Sequence, residues 1–148
     1  MRVSSSVTLA ATAGRVIPLL VDLSRYPAWM PLVHSATAES GSSPAAWSVE
    51  LRARVGPFAR SKRLRMVLSS DDTVDGVRVL VFERRETGGV RHSAWTMTVR
   101  VHDEAGSVTV AIDLEYGGSL WTAGVLDRVL AAQIEAGKAG LARAVAAG

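Results

Sequence analysis

The chain contains no cysteine. That excludes disulfides, thiol nucleophiles and cysteine metal sites, and it fits a reducing compartment. No apolar run approaches the roughly 18 residues of a membrane-spanning helix. The start, Met1-Arg2-Val3-Ser4, is polar and lacks the long apolar segment of a signal peptide. A soluble, cytoplasmic protein is expected. Aromatic residues make up only 5% of the 148, although four of them are Trp, so large side chains are used sparingly. Charge of one sign is not in great excess: 17 Lys and Arg against 14 Asp and Glu leave +3, which does not by itself call for nucleic acid. The three His are scattered and none forms a pair at helical metal-ligand spacing. No G-x-S-x-G elbow is present. Neither a metal site nor a catalytic triad is written, and no cofactor is implied.

What the chain does have is alternation. Ala46 to Val55 places Trp47, Val49, Leu51, Ala53 and Val55 on one face and Ser48, Glu50, Arg52 and Arg54 on the other. Ser93 to His102 and Ser107 to Tyr116 alternate in the same way. This period of two is the signature of half-buried strands. Arg2 to Ala10, Leu32 to Glu39, Ala59 to Ser69 and Val77 to Glu86 read as further strands. The last has an ambiguous face, because Leu80 and Phe82 compete with Val79 and Val81. Turns fall at Ser40 to Pro44, at Gly56-Pro57, at Thr87-Gly88-Gly89 and at Asp103 to Gly106. Another is bracketed by Asp71-Asp72 and Asp75-Gly76. Arg15 to Leu23 reads as a short helix, with Thr12 as a cap and Pro18 in about its first turn. Ser24 to Pro31 has room for a second short helix.

Ser119 to Ala147 reads as the one long helix. Leu126, Leu130, Ile134, Gly137, Leu141 and Val145 form a single apolar stripe at helical spacing. A one-sided helix that follows a run of strands must bury its stripe against their sheet. Short turns make that sheet antiparallel. One α+β domain over residues 1–148 is expected: about seven strands, strongly curved around the C-terminal helix, with two short helices between strands 1 and 2.

On these residues the chain resembles the START-like, or SRPBCC, superfamily with its helix-grip fold, and in particular its polyketide cyclase/dehydrase-like branch. The stretch Asp22-Leu23-Ser24-Arg25-Tyr26-Pro27-Ala28-Trp29-Met30-Pro31 is similar to the family's D-x-x-x-Y-P-x-W-x-P pattern. Trp95 in the sixth strand falls where members often place an aromatic. Leu114-Glu115-Tyr116-Gly117-Gly118-Ser119-Leu120-Trp121 leads into the last helix as in the family. The resemblance implies an apolar cavity between sheet and helix, its mouth near the short helices and hairpin loops. Inward apolar faces alone would equally serve a solid core.

With such a cavity, the inward positions become candidate ligand contacts: Leu64, Met66, Phe82, Trp95, Met97, Ile112 and Tyr116 from the strands, with Leu126, Leu130, Gln133, Ile134 and Gly137 from the helix. Trp29 and Met30 are candidates for a lid, while Trp29 is also suited to staple the short helix onto the sheet. Gly137, with Gly140 nearby, marks either close backbone packing or room for a ligand. Arg84 follows Leu80 and Phe82 inward if those two face the core. There it could hold an enolate or carboxylate, the alternative being a solvated pair with Arg85. Arg84, Tyr116 and His34 are the weak catalytic candidates.

Arg52, Arg54, Arg60, Lys62, Arg63 and Arg65 concentrate positive charge, mostly on the outward face. This reads as a solvated surface, with transient contact to anionic membranes as a further hypothesis. Nucleic acid is disfavoured there for want of interleaved aromatics. The expected function is binding of a small hydrophobic molecule, such as a lipid, quinone or polyketide-like compound. The alternative is a polyketide cyclase or aromatase acting on a poly-ketone chain.

Overall fold

The computed structural model describes residues 2–89, 91–117 and 125–147, apart from the side chains of residues 55 and 125–127. Among these, seven strands form one antiparallel sheet. They are β1 (Arg2–Leu9), β2 (Val33–Ala38), β3 (Ala46–Val55), β4 (Phe58–Val74), β5 (Val77–Arg84), β6 (Trp95–Glu104) and β7 (Ser107–Tyr116). The spatial order is β1-β7-β6-β5-β4-β3-β2. Helix α1 (Ala13–Val21) and a 3₁₀ helix (Leu23–Ala28) link the two edge strands, and α2 (Val125–Ala147) follows β7. No described helix is long and apolar enough to cross a membrane.

Alternation sets which side chains meet α2. On β5, Leu80 and Phe82 are fully buried while Val79 and Val81 are only partly so, which resolves the ambiguous face. Each such burial contributes about 1.5–3 kcal/mol. On α2 the apolar stripe is buried at Leu130, Ile134, Leu141 and Val145. Residues 118–124 and the side chain of Leu126, included in the expected helix and its stripe, lie outside the described residues.

Two expectations are corrected. Asp71 and Asp72 do not open a turn; they lie within β4, whose register continues through Asp71↔Leu80 and Asp72↔Val79. The Asp71 carboxylate accepts from Arg78 Nε at 2.9 Å and Nη2 at 2.8 Å across the pair. That fork holds two polar residues in a strand where a sequence of acids suggests a loop. The turn itself is Asp75-Gly76, both at positive φ (52° and 78°), the conformation that tight hairpins require. Second, Pro18 lies beyond the first turn of α1, because that helix begins at Ala13. The second short helix, expected without a type, is 3₁₀.

The 3₁₀ helix is fastened at its start. The Asp22 carboxylate accepts from Ser24 N at 3.0 Å, Ser24 Oγ at 2.7 Å and Trp47 Nε1 at 3.0 Å. One side chain thus satisfies an orphan helix-end N–H and also ties the turn to β3.

Candidate functional site

Between the sheet, the 3₁₀ helix and α2 lies a space of about 60 Å³, several times the roughly 10–15 Å³ that one water requires. Leu23, Tyr26 and Met30 line it from the 3₁₀ helix and the turn after it. Leu32, Val33, Val49, Leu51, Leu64 and Met66 come from β2, β3, β4 and the approach to β2. Trp95, Met97, Ile112 and Leu114 come from β6 and β7, and Ile134 from α2. The lining is apolar except where Tyr26 and Trp95 carry polar atoms.

Tyr26 does not leave its polar atom free. Its hydroxyl donates to the Leu20 carbonyl at 2.8 Å, closing the end of α1 onto the 3₁₀ helix. Full burial pushes the phenol well above its usual ionisation range, so it keeps its proton. Its ring lies 4.6 Å from Trp29 and 6.3 Å from Phe82, and Phe82 meets Trp47 edge-on at 5.8 Å. These four aromatics form a cluster at the cavity's side.

Trp95 differs. It is buried, stacked on Tyr116 at 5.3 Å, and among the described residues its Nε1–H has no hydrogen-bond partner. Gln133 Oε1 on α2 is likewise buried without a donor among the described residues. Unpartnered buried polar atoms are uncommon and call for an explanation.

A polar group adjoins Trp95. The Lys62 ammonium sits 5.6 Å from the Trp95 ring centroid and 3.2 Å from Ser93 Oγ. Arg84, only 12% exposed, donates to Glu86 Oε1 at 2.9 Å, to Ser93 O at 3.3 Å and to Ser93 Oγ at 3.2 Å. Glu86 also accepts from the Arg65 backbone N–H at 3.1 Å. Desolvation, and then the Arg84 charge, draw the Lys62 pKa down, with Glu86 pulling the other way. Burial opposes ionisation of Glu86. Hydrogen bonds from Arg84 and Arg65, and the charges of Arg84 and His92, nevertheless hold its carboxyl below the usual range.

The expected site residues divide accordingly. Met30, Leu64, Met66, Trp95, Met97, Ile112 and Ile134 come together around the cavity. Phe82 and Leu130 are buried outside its lining, as is Tyr116 behind Trp95. Trp29 is stapled: its Nε1 donates to the Leu19 carbonyl at 3.1 Å. It lines only a lesser space of about 10 Å³ with Met30 and Ile134. A Cβ at Gly137 would stand 2.7 Å from Met30 Sδ, so this glycine serves close packing rather than ligand room. His34 is 48% exposed, and its Nε2 lies 3.7 Å from Glu50 Oε2 on the outer face, away from the cavity.

Lys62 was expected among the outward basic residues. It instead shares the side of β4 that carries Leu64 and Met66, with Leu51 as its register partner on β3. Its parity is readable in the sequence. The surrounding arginines hide it, because charge suggests solvent before alternation is counted. Leu23, Tyr26, Leu32, Val33, Val49, Leu51 and Leu114 also line the cavity without having been singled out.

A family model described as polyketide cyclase / dehydrase and lipid transport matches residues 1–146. No curated protein matches the sequence. Solved structures share the fold. A protein from Thermus thermophilus superposes with a TM-score of 0.75 at 17% identity, covering 99% of this chain and 98% of its own. A START superfamily protein from Mycobacterium smegmatis gives 0.74 at 13% identity, covering 99% and 97%. The Zhui aromatase/cyclase from Streptomyces sp. R1128 gives 0.69 at 16% identity, covering 99% and 93%. At these identities the likeness is one of fold.

Proposed function

This chain belongs to the polyketide cyclase/dehydrase and lipid-transport family, and from that premise we propose that its cavity binds a small hydrophobic molecule of lipid, quinone or polyketide-like type. One observation carries the reading: the lining is apolar, and the one titratable side chain among the described residues that line it, Tyr26, is buried, protonated and already donating to Leu20. Burial of apolar ligand surface, worth about 25 cal/mol per Å², supplies the affinity.

Catalysis of cyclisation would need an acid or base in contact with the bound chain. Among the described residues that line the space none is free, the Lys62 ammonium lying just outside that lining beside Trp95. His34 faces outward, and the Arg84 guanidinium is held by Glu86 and Ser93. Binding without chemistry is therefore favoured over the cyclase alternative.

Native mass spectrometry of the purified protein tests the reading, backed by ligand-observed NMR titration with 1-octanol. A mass increment released on denaturation, or saturable octanol binding, is the expected result. A bare mass together with no octanol binding would overturn it.

A further inference from the structure

Resting on that apolar-ligand reading, we propose that the molecule taken up is a monocarboxylate with an apolar body. Its carboxylate is held at the Trp95 end of the cavity by the Lys62 ammonium and the Trp95 Nε1–H. Three independent observations meet there.

The first is charge. Lys62 and Arg84 face one carboxylate, Glu86, and that carboxylate is occupied by Arg84 and by the backbone of Arg65. Among the described residues Lys62 has no ion-pair partner; its polar contact is the neutral Ser93 hydroxyl. His92, the other titratable group near Glu86, adds no negative charge. Among the described residues the cluster therefore carries one uncompensated positive charge, matched by one anion. A half-buried ammonium of this kind gains more from a counter-ion than a solvated one does.

The second is the orphan donor. Trp95 is buried and its ring lines the cavity, yet among the described residues its Nε1–H meets no acceptor. An oxygen on the ligand supplies one.

The third is continuity. Leu51, the register partner of Lys62, and Leu64, two residues along β4, both line the apolar space, as does Trp95 beneath the ammonium. An amphiphile with its acid at Lys62 therefore extends its apolar body toward Ile112 and Ile134.

The test uses octanoate, 1-octanol and octyltrimethylammonium in ligand-observed NMR titrations against the whole protein. Lys62→Met keeps the aliphatic stem and removes the charge. It should weaken octanoate about tenfold and leave 1-octanol within twofold. Trp95→Phe, which also trims the lining, should weaken octanoate severalfold more than it weakens 1-octanol. Retained octanol binding shows that each variant is folded. The proposal is overturned if Lys62→Met changes octanoate and octanol alike. It is equally overturned if octyltrimethylammonium binds the native protein as tightly as octanoate. Octanol bound without any octanoate dependence on Lys62 sinks this inference alone, whereas binding of no octyl compound sinks the apolar-ligand reading with it.

Discussion

Gly140 of α2 packs directly on the backbone of Trp29: a Cβ at this position would overlap the Trp29 carbonyl oxygen. Helix and 3₁₀ turn meet here through main chain, and a backbone carbonyl has little freedom to retreat. Gly140→Ala should therefore destabilise by about 2 kcal/mol, within the usual range for overpacking. This should happen although alanine favours helix by about 1 kcal/mol. Gly137→Ala should be milder, within about 1 kcal/mol of the native protein, because it presses on the flexible Met30 thioether instead. Urea denaturation of both variants measures the difference, and equal effects would contradict the packing described.

Tyr26→Phe separates structural from ligand roles. Loss of the hydroxyl strands the Leu20 carbonyl inside the protein, at a cost of about 1–2 kcal/mol. The ring and its contacts remain, so affinity for 1-octanol should stay within twofold. A large loss of binding in a folded variant would show that the hydroxyl addresses the ligand.

Val49→Phe distinguishes a cavity from a loosely described core. Val49 lines the open space and is otherwise buried. If the space accepts the larger side chain, the melting temperature should hold or rise while octanol binding disappears. In a filled core the same change would cost about 1–3 kcal/mol.

Acid should loosen the junction of β1 with β7. The Asp113 carboxyl accepts from the Ser4 hydroxyl and from Arg100 Nη1 at 2.6 Å, and Arg2 approaches to 3.5 Å. The Ser4 hydrogen bond leads in lowering its pKa below 3.8, ahead of Arg100 and Arg2 and against desolvation. A carboxyl whose pKa is depressed on folding stabilises at pH values above its unfolded pKa. The contribution fades as pH falls through the folded value. Asp113→Asn should thus cost about 1 kcal/mol at pH 7, and the gap to the native protein should narrow as the pH falls through the carboxyl's depressed folded-state value. A pH-independent gap would point to a cause other than ionisation.

The sheet and its closing helix were legible because their signals are local. Strict alternation marks β3 and β7, whose bounds Ala46–Val55 and Ser107–Tyr116 agree with the expected ones. The stripe Leu130, Ile134, Leu141 and Val145 needs only a period of 3.6. Other features depend on partners distant in sequence. Asp71 is a strand residue because Arg78 forks onto it. Register shifts between Val33 and Ser35 and between Leu68 and Ser70 break the simple parity of β2 and β4. The cavity was the least legible part. Val, Leu, Met and Ile fill a solid core as readily as they line a space, and only the distance between α2 and the sheet tells them apart. Gly137 illustrates the point: the same residue fits either reading until Met30 is seen against it.

The strand order also has a temporal side. β1 lies beside β7, with Arg2 opposite Glu115 and Leu9 opposite Val108. As the chain emerges from the ribosome, β1 has its partner only after about a hundred further residues have followed. During synthesis β6, β5, β4 and β3 can pair with near neighbours, while β1 and the inner face that α2 covers stay unprotected until β7 and α2 have been made. Such long-range closure slows folding and leaves apolar surface open to association. A small amphiphile that settles early onto that uncovered face would act on assembly as well as on the finished protein.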